Sequence, residues 1–141
     1  MILEMSPSEI DEFMLSQKVG RVGCHLDGET YVVPVIYGWD ADCIYVYTTE
    51  GKKVDMMREN RHVCFEIDEH PASGGWRSVI AQGVFEELDG DDAARALQII
   101  TERVSSNRDS GSSRTRGEGR PPVAFRIRTS DVTGRKVEVA S

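Results

Sequence analysis

The run Val22–Val33, VGCHLDGETYVV, limits the fold more than any other stretch of the chain. Val22, Cys24 and Leu26 alternate with Arg21, Gly23 and His25, the period-two pattern of a half-buried strand. Asp27-Gly28 then supplies the positive φ values that a two-residue hairpin turn requires. The returning strand, Tyr31–Tyr37, carries Pro34, which has no N–H to give to a ladder. It therefore predicts an edge, a bulge, or a place where something else approaches the backbone. Asp40-Ala41-Asp42 predicts a second turn and Cys43–Thr49 a third strand. Val63, Phe65 and Ile67 alternate in a fourth, and WRSVIAQGVFEEL is a long fifth with a bulge expected at Gly83. VAFRIR is a sixth, followed by a turn at Thr133-Gly134 and a short VEV.

Helices punctuate this pattern at three points. Ser6-Pro7-Ser8-Glu9 has the form of a capping box with proline at the first helical position. Ile10, Phe13 and Met14 then share one face. A short helix follows Gly51-Lys52-Lys53 and ends near Asn60; another opens at Asp89–Asp92 and places Ala93, Leu97 and Ile100 on one face. Residues 105–122, rich in Ser, Gly and Arg, show neither period and predict a mobile loop. Six strands joined mostly by hairpins predict a mainly β chain, either a small closed antiparallel barrel or an open α+β sheet. Periodicity leaves both open. At 141 residues, the expectation is one domain spanning 1–141.

The net charge of −7 is unevenly spread. Residues 1–102 hold 8 Lys and Arg against 20 Asp and Glu, whereas residues 103–141 hold 9 against 4. The basic arginines are scattered with few aromatics between them, and the acidic remainder repels a polyanion, so no nucleic-acid partner is expected. No apolar run has the length of a membrane span, so no membrane partner is expected either, and the acidic start MILEMSPSEIDEF argues for a cytoplasmic location. Cys24, Cys43 and Cys64 are odd in number, form no CxxC and lie in strand-like apolar runs, which predicts reduced thiols in the core. His25, His62 and His70 are too scattered for a zinc pattern, and no metal site is expected. His62 is placed near the lysine pair described next.

One corner stands out against the acidic background. In YVYTTEGKKVDMMREN an alternating strand runs into two threonines, a glycine and two lysines where a helix begins. Helix electrostatics disfavour cations at that end. Main-chain amides after Gly51, the ammonium groups of Lys52 and Lys53 and the hydroxyls of Thr48 and Thr49 would together suit a phosphate. The plainer reading is a solvated surface pair balanced by Glu50. The spacing is not that of a P-loop.

The segment YVYTTEGKKVDMMRENRHVCFEID resembles the flavin-binding segment of the pyridoxamine 5′-phosphate oxidase-like, FMN-binding split-barrel family. GRVGCHLDGETYVVPVIYGWD resembles its opening hairpin, WRSVIAQGVFEEL its long fifth strand and FRIRTSDVTGRKVE its closing strand. The branch most similar is that of nitroimidazole-resistance (Nim) proteins. The resemblance implies a six-stranded antiparallel split β-barrel of Greek-key type, homodimeric, with FMN at the dimer interface. It implies that Val32, Val33, Pro34 and Val35 run along the flavin ring, with backbone groups of Val33 and Val35 at its polar edge. Thr48, Thr49, Lys52 and Lys53 would hold the phosphate, and Trp76, Arg77, Ser78 and Val79 would reach the cofactor from the same or the other subunit; the plainer alternatives are Arg77 as a surface charge and Trp76 as a core or dimer-contact aromatic. The chain departs from the true oxidase in lacking a Ser-Arg-Lys run after the glycine and an Arg-Leu-x-Pro type of tail, so that specific activity is not implied.

Two functions of different class follow. One is an FMN-dependent oxidoreductase acting on a small-molecule electron donor and acceptor, such as a nitro or quinone-like compound. The other is a non-catalytic flavin- or haem-binding carrier or sensor. Deazaflavin or haem in place of FMN is the alternative cofactor, and spacing assigns no catalytic residue.

Overall fold

The computed structural model describes residues 1–40, 42–105 and 119–139. Most of the loop expected over 105–122 lies outside the described residues. The elements in chain order are β1 (Leu3–Glu4), α1 (Pro7–Ser16), β2 (Val19–Leu26), β3 (Glu29–Asp40), β4 (Cys43–Thr49), α2 (Lys52–Glu59), β5 (His62–Glu69), β6 (Trp76–Leu88), α3 (Gly90–Ser105) and β7 (Pro122–Val137).

Strand order is β1-β7-β4-β3-β2-β5-β6, and β6 also pairs with β7. That last pairing closes six antiparallel strands into a ring, deciding for the barrel over the open sheet. The Asp27-Gly28 hairpin forms as its residues predict, with φ of 52° and 83° and Leu26 opposite Glu29. Alternation puts Val22, Tyr37, Ile44, Val46, Phe65, Ile67, Val79, Phe85, Phe125 and Ile127 inside the ring. Tyr37 and Phe65 meet edge to face at 4.9 Å, and the buried Tyr37 hydroxyl donates to the Met14 carbonyl at 2.6 Å.

α1 covers one end of this core with Phe13 and Met14, both fully buried. Its capping box is present: the Glu9 amide donates to Ser6 Oγ at 3.2 Å and the Ser6 amide to Glu9 Oε1 at 2.8 Å. α3 lies outside the barrel against Cys43, Tyr45 and Ala124. Its buried residues are Ala96 and Ile100, with Ala93 packed beside them, whereas Leu97, expected on that face, is 41% exposed. Gly38 makes this docking possible, because a Cβ there would lie 2.3 Å from Ile99 Cγ2.

Three expectations need correction. β7 is one continuous strand through Thr133-Gly134, with no turn and no separate VEV strand. Gly134 is small because a Cβ would meet Met5 Sδ at 2.8 Å, where β1 and α1 cross the strand. The register shift does fall at Gln82/Gly83, but pairing passes from Asp131 to Thr129, so the extra residue is Ser130 of the partner strand. Gly83 is there for close approach: a Cβ would lie 2.6 Å from the Arg128 carbonyl oxygen. Cys64, expected in the core, is half-buried and accepts from Gln82 Nε2 at 3.6 Å; among the described residues all three cysteines are free thiols.

Candidate anion site at the start of the second helix

The barrel is split beside β3. Its pairing with β4 is confined to Tyr37–Asp40, so from Glu29 to Ile36 only β2 lies alongside it. α2 packs chiefly against β2, burying Val54, Met56 and Met57 in the barrel core. Pro34 lies on the open side. The Tyr37 amide donates to the Lys18 carbonyl at 3.1 Å, and antiparallel pairs alternate. Odd residues of β3 therefore bond to β2, and even ones turn their main-chain groups to the open edge. Val33 and Val35, expected to present main-chain groups to a ligand, instead use them on β2, and Val35 is a core residue. Those at the open edge belong to Val32 and Ile36, with Pro34 between them. The side chains of Val32 (59% exposed) and Ile36 (42% exposed) face outward.

The lysine corner stands at the mouth of this split. Gly51 caps α2 in an extended conformation (φ 170°) with no side-chain cap. The turn itself thus does not require glycine. The Asp55 amide reaches the Gly51 carbonyl at 3.0 Å, which leaves the amides of the first turn without intrahelical acceptors.

The two lysines part company. Lys52 Nζ is 2.6 Å from Glu29 Oε2 and 4.8 Å from the centroid of the Tyr31 ring. The hydrogen bond to Glu29 raises its pKa. Lys53 is half-buried, and its ammonium donates to Thr48 Oγ1 at 2.9 Å. Burial pushes its pKa down, and among the described residues it makes no ion pair. The Cys24 thiol nearby is pushed up, chiefly by its own burial. Glu50 does not balance the lysines as the plainer reading supposed. Its carboxylate takes both arms of Arg58 at 2.8 Å each, so Lys52 finds its counter-charge on β3 instead.

A third cation joins the corner. Arg120, just before β7, brings Nη1 to 3.7 Å from where a Cβ of Gly51 would stand. Sequence reading missed it because Arg120 is remote in the chain from Gly51. The missed signal is the strand pairing itself: Thr49 lies opposite Pro122, so whatever precedes β7 arrives beside Gly51. The result, among the described residues, is a half-buried cation without a carboxylate, an uncapped helix start and a neighbouring guanidinium. These are the donors an oxyanion needs, and a flavin nucleotide's phosphate fits this set.

Trp76, Arg77, Ser78 and Val79 are elsewhere. They open β6 beside Val137–Gly134, and the length of β7 separates them from Thr49, roughly 50 Å of strand path at about 3.3 Å per residue. One protomer does not bring the two groups together. Val79 is fully buried in the core. Arg77 is bound to Glu69 at 2.9 Å and lies 4.2 Å over the Phe13 ring. A cavity of about 370 Å³ adjoins this end, lined by Trp76 and Arg77 with Glu9, Glu12, Glu69 and Lys136. His62, expected near the lysines, follows the C-terminal end of α2 and is exposed. His70 Nε2 is 3.5 Å from Asp68. Among the described residues no cluster of His, Cys, Asp or Glu is placed to hold a metal, and no helix is long and apolar enough to cross a membrane.

A family model described as pyridoxamine 5′-phosphate oxidase matches residues 6–136. The crystal structure of an FAD-binding protein from Mesorhizobium loti superposes with a TM-score of 0.82 at 31% identity, covering 99% of this chain and 98% of that one. A candidate 5-nitroimidazole antibiotic resistance protein from Bacteroides thetaiotaomicron shares the fold at a TM-score of 0.79 and 20% identity, over 96% of this chain and 87% of that one. An uncharacterized protein of Rhizobium meliloti (strain 1021) is 31% identical over 84 residues, 60% of this chain. The matched part spans 56% of that relative's length.

Proposed function

The chain belongs to the pyridoxamine 5′-phosphate oxidase family, and from that premise we propose that it is a flavin-binding oxidoreductase whose cofactor is FMN. Lys53, Lys52, Thr48 and Thr49, with Arg120, hold the phosphate at the start of α2. Val32, Pro34 and Ile36 line the open edge of β3 where the ring lies. The segment Trp76–Val79 comes from a second copy of the chain, since one protomer keeps it at the far end of β7. A small-molecule electron donor and acceptor, the latter of nitro or quinone-like class, completes the reaction.

The bound flavin would supply the two-electron chemistry, while the chain binds it, orients it and shields it from water. The observation that carries this reading is Lys53: burial depresses its pKa, it lacks a carboxylate among the described residues, and it stands beside uncapped helix amides. A half-buried unpaired charge is costly, and an anion in the corner would offset that cost. Similarity to a protein described as FAD-binding, at 31% identity over nearly the whole chain, supports a flavin as the cofactor class.

The test is a visible spectrum of the purified protein, followed by titration with FMN and light scattering of the complex. The expected result is a dimer with an oxidised-flavin spectrum that NADH or NADPH bleaches and a nitroaromatic acceptor restores. A Soret band assigns haem instead. Flavin bound without turnover assigns a carrier or sensor, and a colourless protein that ignores FMN removes the phosphate site.

A further inference from the structure

Resting on the phosphate reading above, we propose that Arg58 is a positioning residue for the anion corner: it holds the Glu50 carboxylate away from the start of α2, keeping those amides free for a ligand. Glu50 immediately precedes the N-cap Gly51. A carboxylate at that place is attracted by the helix dipole and can accept from first-turn amides, which makes it a built-in competitor for any phosphate. Yet α2 has no side-chain cap. The Glu50 carboxylate lies in the fork of Arg58, with Nη1–Oε1 and Nη2–Oε2 both 2.8 Å, and Arg58 belongs to the last turn of the helix.

That fork occupies both carboxylate oxygens, and among the described residues Glu50 accepts from none of the first-turn amides. The same guanidinium makes a second fork to Glu87 of β6, with Nε–Oε1 and Nη2–Oε2 again 2.8 Å. Glu87 ties Arg58 to the barrel wall, so the guanidinium that holds Glu50 is itself anchored. Asp55, at 3.9 Å from Nη1, is the third carboxylate facing this group. One planar fork thus removes from the corner the negative charge closest to it in sequence, a task the single ammonium of lysine cannot reproduce.

A staple that merely joins β4, α2 and β6 would show the same bonds, so the test compares FMN with riboflavin, the same ring without the phosphate. Dissociation constants come from flavin fluorescence for wild type, Arg58→Ala, Glu50→Gln and the double variant. Arg58→Ala is expected to weaken FMN about tenfold, about 1.4 kcal/mol, and to leave riboflavin unchanged. Adding Glu50→Gln restores FMN to within about twofold of wild type, and Glu50→Gln alone changes neither ligand. Equal loss of both ligands in Arg58→Ala, with no rescue, makes Arg58 a staple and overturns the proposal. Should Arg58→Ala fail to fold, Arg58→Lys carries the same comparison with the same two outcomes. A wild type that binds FMN no better than riboflavin overturns the phosphate reading itself, a result separable from failure of the rescue alone.

Discussion

The two ends of β7 handle positive charge in opposite ways. At its Val137 end, two cations are matched: Arg77 has Glu69 and the Phe13 ring, and Lys136 has Glu9 and Glu138. At its Pro122 end, Lys53 has a neutral hydroxyl, Arg120 stands beside Gly51, and the nearest acid in sequence, Glu50, is bound to Arg58. Matched surface pairs add little stability and need no ligand to explain them. A half-buried ammonium with no carboxylate among the described residues, beside open amides, costs stability in the free chain. That contrast, more than the number of lysines, makes one end a candidate site and the other a scaffold within the protomer.

Three substitutions sharpen the contrast. The largest effect belongs to Phe13→Ala at the scaffold end. Removing a fully buried ring is expected to lower unfolding free energy by about 3–5 kcal/mol, read by urea denaturation, with the ratio of FMN to riboflavin affinity unchanged. A change in that ratio would join the two ends that the comparison separates.

Next is Lys53→Met, which keeps an apolar stem and drops the charge. FMN affinity should fall by about 1.5–3 kcal/mol while the melting temperature of the free protein holds or rises. A drop in both means that the ammonium supports the fold rather than a ligand. The same group sets a pH dependence in the wild type. Burial holds its folded pKa below the ordinary 10.5, so the unfolded chain binds more protons between the two values. Stability of the free protein therefore rises as pH climbs through that window, and FMN affinity falls over the same range as the ammonium is lost. Lys53→Met should flatten both slopes. The smallest effect is expected from Lys136→Ala, which removes the ion pairs of a half-buried ammonium with two exposed carboxylates: the denaturation midpoint moves little and flavin binding does not. A large loss of FMN there would show that Lys136 itself serves the ligand.

Local chemistry made the hairpin, the capping box and the lysine corner legible in the sequence. Asp27-Gly28, Ser6 with Glu9, and Gly51-Lys52-Lys53 each act within a few residues of themselves. What escaped depends on contacts between distant segments. Gly134 reads as a turn residue until Met5 and Ile10 are seen packed over it. Leu97 and Ala96 are neighbours in sequence, and which faces the barrel depends on the angle at which α3 settles against Gly38. Val33 and Val35 are distinguishable from Val32 and Ile36 only once the register with β2 is known, because a strand's main-chain groups alternate between its two edges. Arg120 and Arg58 were missed for the same reason, as their roles arise from the partners that folding brings to Gly51 and Glu50.

The ring closes only through β7, which follows every other strand and pairs with both β4 and β6. During synthesis those two strands therefore wait with bare edges until the last strand leaves the ribosome. Closure depends on sequence-distant partners, which slows folding and leaves the nascent chain open to wrong pairings. The strand that separates the two ends of the molecule is thus also the one whose arrival decides whether any barrel exists.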